Sequence, residues 1–110
     1  MYPHGGPQAR DFFQWDSTVQ LLASRGYAVF QPQFRGSAGF GKRYAEAGYR
    51  EWGGIMQTDV EDGLQHIINE GYVDASRGCI MGFSYGAYAT MLGAVASPDD
   101  FRCALAGVGV

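Results

Sequence analysis

The pentapeptide Gly82-Phe83-Ser84-Tyr85-Gly86 constrains this chain more than any other feature, because of what stands on either side of it. Before it, Gly78-Cys79-Ile80-Met81-Gly82-Phe83 is an apolar run too short for a helix and bordered by glycine, which predicts a strand. After it, Tyr85 to Ala96 is rich in small residues and apolar all round, which predicts a buried helix closed by Ser97-Pro98-Asp99-Asp100. A chain that passes from strand to helix in so few residues turns sharply and holds the residue between them in a strained backbone conformation. Glycines at 82 and 86 leave room for the crossing backbones, and the Ser84 hydroxyl projects clear of the sheet. The helix N-terminus that follows favours negative charge nearby. A bare G-x-S-x-G arises often by chance in a glycine-rich chain, but between a strand and a helix it marks Ser84 as a candidate nucleophile.

The rest of the chain alternates in the same way. Met1-Tyr2-Pro3 reads as a strand stub. Trp15, Val19 and Leu22 recur at helical spacing, Asp16 and Ser17 suit the N-cap and Gly26 the C-terminal turn, so a helix is expected over Trp15 to Ser24. Ala28 to Phe34 is a short apolar run expected to be a buried strand, with Pro32 marking where pairing stops. A glycine-rich stretch, Arg35 to Gly41, leads to a short helix over Lys42 to Ala47. Met56, Val60, Leu64, Ile67 and Ile68 form one stripe of an amphipathic helix over Ile55 to Asn69, and Arg102 to Val110 reads as a last apolar strand. Strands that are nearly continuous in apolar residues and alternate with helices indicate a parallel sheet covered on both faces, so the fold class is α/β.

With 110 residues the chain holds at most one ordinary domain. Its 46% hydrophobic and 17% charged residues are the profile of a packed core rather than of disorder. A net charge of −3, with no run of Lys or Arg, gives phosphate backbones or anionic lipid nothing to condense on, so no nucleic-acid or membrane partner is expected. No stretch approaches a membrane span, and the N-terminus lacks the basic-then-apolar order of a signal peptide, which makes a cytoplasmic location the expectation over secretion. Cys79 and Cys103 sit in apolar runs without C-x-x-C spacing and read as two buried free thiols. No metal constellation and no cofactor motif are present.

His4-Gly5-Gly6-Pro7 follows the strand stub, and a glycine pair there lets backbone N–H groups turn toward a developing oxyanion, the role of such an HGG loop in α/β-hydrolases. The N–H of Tyr85 would supply the second donor. Together with Leu22-Ala23-Ser24-Arg25-Gly26-Tyr27-Ala28-Val29, Arg35-Gly36-Ser37-Ala38-Gly39-Phe40-Gly41, Trp52-Gly53 and Asp59-Val60-Glu61-Asp62-Gly63, these motifs resemble, in order and spacing, the prolyl oligopeptidase family of serine peptidases, in its dipeptidyl and acylaminoacyl peptidase branch. Ala87 stands where a second glycine is common, and Gln33 where Asn is frequent. The resemblance implies a partial α/β-hydrolase fold, with strands in the spatial order second, first, third, fourth. It implies Ser84 as nucleophile, the amides of Gly6 and Tyr85 as oxyanion hole, no cofactor, and peptide bonds of short peptides as substrate, cleaved through an acyl-enzyme.

In this fold the triad Asp and His follow the serine after later strands, whereas only 26 residues follow Ser84. Residues 1–110 are therefore expected to be the N-terminal and central part of one peptidase domain, truncated at both ends. The partner is then the remainder of that domain, with room for a propeller domain in the full-length protein. Asp99 and Asp100 come too early for the triad acid and read as a solvated turn. His66 belongs to a solvated cluster with Asp62 and Glu70, and His4 to the loop itself. Trp15, Trp52, Phe12, Phe13, Tyr44 and Tyr49 read as packing residues. Two rivals remain: an esterase or lipase, since the same motifs serve esters, and a catalytically silent truncated chain.

Overall fold

Sheet hydrogen bonding gathers on the strand that precedes Ser84. In the computed structural model, which describes residues 1–110, β1 (Cys79–Phe83) pairs in parallel with β2 (Cys103–Gly107), with Cys79 opposite Cys103 and Phe83 opposite Gly107. On its other side β1 meets Met1, whose nitrogen donates to the Cys79 carbonyl at 2.9 Å and whose carbonyl accepts from Met81 N at 3.0 Å. One residue bridging to positions two apart is the pattern of a parallel ladder. Beyond it, Tyr2 N donates to Phe30 O at 2.8 Å. The spatial order is thus residues 28–34, residues 1–3, β1, β2, as the sequence predicts.

The outer members are less regular than expected. Residues 28–34 run beside the stub without forming a continuous ladder, and Pro32 removes one donor from that segment. β2 ends at Gly107 rather than at Val110, because Val108 turns to a φ of 50° and leaves the extended conformation. As the edge of the sheet β2 is largely exposed, so this apolar run has its side chains in solvent.

The helices form where their spacing and caps demand. α1 (Ser17–Ser24) starts two residues later than expected because the Asp16 carboxylate accepts from Val19 N at 2.9 Å and caps it, which leaves Trp15 outside and exposed. After α1, Gly26 N bonds to Ala23 O and Tyr27 N to Leu22 O, the paired bonds of a Schellman motif that needs the left-handed φ of Gly26. α2 (Lys42–Glu46) is one turn and a half. α3 (Ile55–Asn69) buries Met56, Val60 and Leu64, while Ile67 and Ile68 are half-buried. A 3-10 turn over Ala75–Arg77 leads into β1. α4 (Tyr85–Ala96) packs across both strands, and α3 packs on α4. The core between them is Phe34, Met56, Val60, Ile80, Tyr85 and Ala89, closed at its margin by Met1, Tyr88 and Phe101. Ile80, only 1% exposed, contributes about 2 kcal/mol by burial alone. No helix is long and apolar enough to cross a membrane.

The cysteines depart from expectation. Parallel register sets Cys79 and Cys103 side by side at a Cα separation of 4.7 Å, and they form a disulfide rather than two buried free thiols; Cys103 is exposed at the sheet edge. The bond staples β2 to β1 at the end of the pair remote from Ser84, and is of a kind that persists in oxidising compartments. With the two cysteines 24 positions apart, the cross-link stabilises the fold by about 3.5 kcal/mol on a chain-entropy argument. Alkylation of the unfolded, unreduced protein followed by peptide mapping is expected to leave both cysteines unmodified, and alkylation after reduction to modify both.

Candidate active site

Ser84 belongs to two elements at once. Its N–H donates to Gly107 O at 3.1 Å, extending the ladder with β2, and its carbonyl accepts from Ala87 N at 3.0 Å and Tyr88 N at 3.2 Å, opening α4. Satisfying both within one residue requires φ 56° and ψ −121°, a conformation that costs a non-glycine residue about 1 to 3 kcal/mol. The surroundings enforce it. A Cβ at Gly86 would collide with the Pro3 carbonyl, and one at Gly82 with the backbone of Gly86, so the strand, the stub and the helix cross as closely as glycine allows. The result is an exposed serine standing above the C-terminal end of β1.

Tyr85, the first residue of α4, has no acceptor in the chain for its N–H, which lies at the positive end of the helix. Its ring fixes that amide in place. It is 1% exposed and wedged between Phe34, at 5.4 Å, and Trp52, edge-on at 4.8 Å. Burial, with a lesser contribution from Tyr88, pushes the Tyr85 phenol well above its ordinary value, so the hydroxyl stays neutral.

The HGG loop lies against this turn. A Cβ on Gly5 would sit 3.1 Å from the Phe83 carbonyl and 3.4 Å from Ser84 Cβ, a fit with little room for a side chain. Gly6 follows with φ 125°. His4 is buried and tied at both nitrogens: Nδ1 is 2.6 Å from Gly5 O, and Nε2 is 2.8 Å from Ser37 Oγ. A carbonyl can only accept, so Nδ1 carries a proton, and in the neutral imidazole Nε2 then accepts from the Ser37 hydroxyl. The imidazole also stacks on Phe34 at 4.4 Å. His4 therefore ties the loop to residues 35–41. The expectation that it is structural holds, while its partner Ser37, fully buried, lies in the stretch Arg35–Gly41 that the sequence marks as a motif without singling out the serine.

That stretch is itself held by Asp59 of α3. The Arg35 guanidinium grips both Asp59 oxygens at 2.6 to 3.1 Å, and the Arg35 N–H adds a bond at 2.8 Å. Burial alone would raise the Asp59 carboxyl, but the Arg35 hydrogen bonds and charge outweigh it and hold the group below the usual carboxylate range. Gln33 Nε2 donates to the Asp11 carbonyl at 2.6 Å and Gln33 Oε1 accepts from Asp11 N, which fastens the far end of the HGG loop.

His66 lies exposed on α3, but it forms no ion pair with Asp62 or Glu70, so the expected cluster reduces to three separately solvated side chains. Neither histidine hydrogen-bonds Ser84. Asp99 and Asp100 lie in the turn after α4, and no three His, Cys, Asp or Glu side chains converge as a metal site. Tyr44 is half-buried and packs on Phe40, and Trp52, although partly open to solvent, sets its ring against Tyr85 and Tyr88, whereas Phe12, Phe13, Trp15 and Tyr49 are exposed. A cleft of about 530 Å³ opens beside Gly6, with Gln8, Tyr49, Arg50 and Trp52 among its lining residues.

The profile of the prolyl oligopeptidase family matches residues 13–110. Dipeptidyl aminopeptidase BIII of Pseudoxanthomonas mexicana is 46% identical over 106 residues, and dipeptidyl peptidase family member 6 of Caenorhabditis elegans 42%. These alignments cover 96% of this chain but only 15% and 14% of those proteins. The chain also superimposes on the uncomplexed acylaminoacyl peptidase of Pyrococcus horikoshii with a TM-score of 0.93 and 27% identity, covering 99% of this chain and 18% of that one. A puromycin hydrolase gives a TM-score of 0.86 at 30% identity, over 96% of this chain and 16% of that one. The α/β-hydrolase fold class expected from the sequence is thus shown for the part of the fold present.

The Asp59–Arg35 pair predicts a pH signature. The folded-state pKa of Asp59 is depressed, so its contribution is present above the unfolded value of about 4 and is lost as pH falls through the lower folded value. In urea unfolding of the whole protein, the stability gap between wild type and Asp59→Asn is expected to be constant from about pH 5 to 8 and to close below about pH 4.

Proposed function

Because the chain belongs to the prolyl oligopeptidase family, we propose that it carries the nucleophile and oxyanion half of a serine peptidase site. The observation that bears most weight is Ser84 at φ 56°, exposed between β1 and α4 beside the unpartnered Tyr85 amide. Strain of this kind is maintained where the residue must be presented to a reacting group. Ser84 attacks the carbonyl of a peptide bond, and the amides of Tyr85 and Gly6 stabilise the negative charge that develops on its oxygen. The amine leaves, and water releases the acyl group from Ser84.

The serine needs a base, and neither His4, tied to Gly5 and Ser37, nor exposed His66 is placed to act as one. The chain spans about 15% of the length of its curated relatives, which supports reading it as the N-terminal and central part of one peptidase domain. The triad Asp and His then come from the remainder of that domain, and short peptides are the substrates, as the names of the dipeptidyl and acylaminoacyl peptidase relatives suggest. A propeller domain, where the full-length protein has one, would act on access to the site and not on its chemistry.

In the whole protein a fluorophosphonate probe is expected to label Ser84 alone. Ser84→Ala is expected to abolish labelling and lower turnover of aminoacyl-nitroanilides by a factor on the order of 10⁴ to 10⁶. Labelling at Ser17, Ser24 or Ser37, or hydrolysis of nitrophenyl acyl esters with no turnover of any aminoacyl-nitroanilide, would count against the peptidase reading.

A further inference from the structure

The cleft beside Gly6 has one charged lining residue, and it is a cation without a partner. Of the side chains around this space of about 530 Å³, Arg50 alone carries formal charge and none is acidic. The ion pairs of the chain are Arg35–Asp59, Lys42–Glu46 and Arg77–Asp74, so Arg50 is in none of them. The acid next to it in sequence, Glu51, turns away to accept from Ile55 N at 3.3 Å, at the start of α3. Arg50 also has φ 62°, a left-handed conformation that glycine takes freely and that costs an arginine stability. A strained, exposed and unpaired arginine at the rim of a cleft is the kind of outlier from which a functional role is argued.

The cleft is continuous with the candidate site. Gly6 lines it, and the neighbouring Gly5 abuts Ser84 Cβ. Trp52 also lines it, and the Trp52 ring meets the ring of Tyr85, the residue after the nucleophile. A peptide whose carbonyl oxygen lies at the Gly6 amide would have beside it the cleft that Tyr49, Trp52 and Arg50 line. A guanidinium with no internal counter-ion, beside aromatic faces, selects a planar carboxylate by paired charge-assisted hydrogen bonds.

We infer that Arg50 is a specificity-determining residue that binds a carboxylate of the peptide, either an acidic side chain or a free C-terminus. This rests on the peptidase reading for its ligand, but it is testable without turnover. The whole protein carrying Ser84→Ala is titrated calorimetrically at low salt with paired peptides. One pair is Ala-Ala-Ala-Ala as free acid and as amide; the other is Ala-Ala-Asp-Ala and Ala-Ala-Asn-Ala, both amidated. In at least one pair the carboxylate peptide is expected to bind about tenfold or more tightly, the range of a charge-assisted contact. Which pair shows it identifies the source of the carboxylate. Arg50→Gly, which relieves the backbone strain, is expected to abolish the preference without lowering the melting temperature, and Arg50→Gln, which removes the charge but keeps a polar side chain, to abolish it as well. Equal affinities within both pairs, or a preference that survives both substitutions, would overturn the assignment. Carboxylate binding with no hydrolysis by the Ser84 protein would instead defeat the peptidase reading and leave this cleft standing.

Discussion

Everything at this site depends on a close crossing of backbones. β1, the Met1–Pro3 segment and α4 approach so nearly that a methyl group at Gly82 or Gly86 would strike main-chain atoms, and Ser84 is the residue that absorbs the change of direction. Its φ of 56° is held by hydrogen bonds on both sides, to the sheet through Gly107 and to the helix through Ala87 and Tyr88. A serine within an ordinary strand would project perpendicular to the sheet from one of its faces, and one inside a helix from the helix's side. At the junction an exposed hydroxyl, on a residue that belongs to both elements, and a free first-turn N–H stand one residue apart.

A second set of contacts brings the HGG loop to that junction and keeps it there. It runs from Asp59 on α3 through Arg35 to the buried Ser37, and from Ser37 through His4 to the loop. The aromatic contacts follow a parallel route, His4 on Phe34, Phe34 on Tyr85, Tyr85 on Trp52. The loop and the serine are therefore braced against the same core, as the proposed oxyanion pair requires: donors fixed before charge develops cost no reorganisation when it does.

The features legible in the sequence are those whose physics is local. Asp16 caps α1 three residues from the N–H it serves, Gly26 ends the helix within its own turn, and the strand–serine–helix order is written in one continuous stretch. The features missed depend on distance along the chain. The disulfide exists because a parallel register places Cys79 beside Cys103, 24 positions away, and no spacing rule announces that. The His4–Ser37 bond joins residues 33 apart, and Ser37 is a small polar residue among glycines with no signal of its own. The Ala28–Phe34 run has the composition of a strand, but Pro32 denies it a donor for a full ladder. His66 and its acidic neighbours have the right spacing for ion pairs, yet solvated side chains gain little from closing them.

The central claim is that Ser84 forms the covalent bond to substrate. The most direct measurement mixes the whole protein with an aminoacyl nitrophenyl ester, quenches it in acid during the first turnover and locates any acyl group by peptide mass mapping. The account predicts an acyl increment on the peptide that carries Ser84, with an amount equal to the burst of nitrophenol released. A burst of nitrophenol that leaves this peptide unmodified, or places the acyl group on another residue, would contradict it.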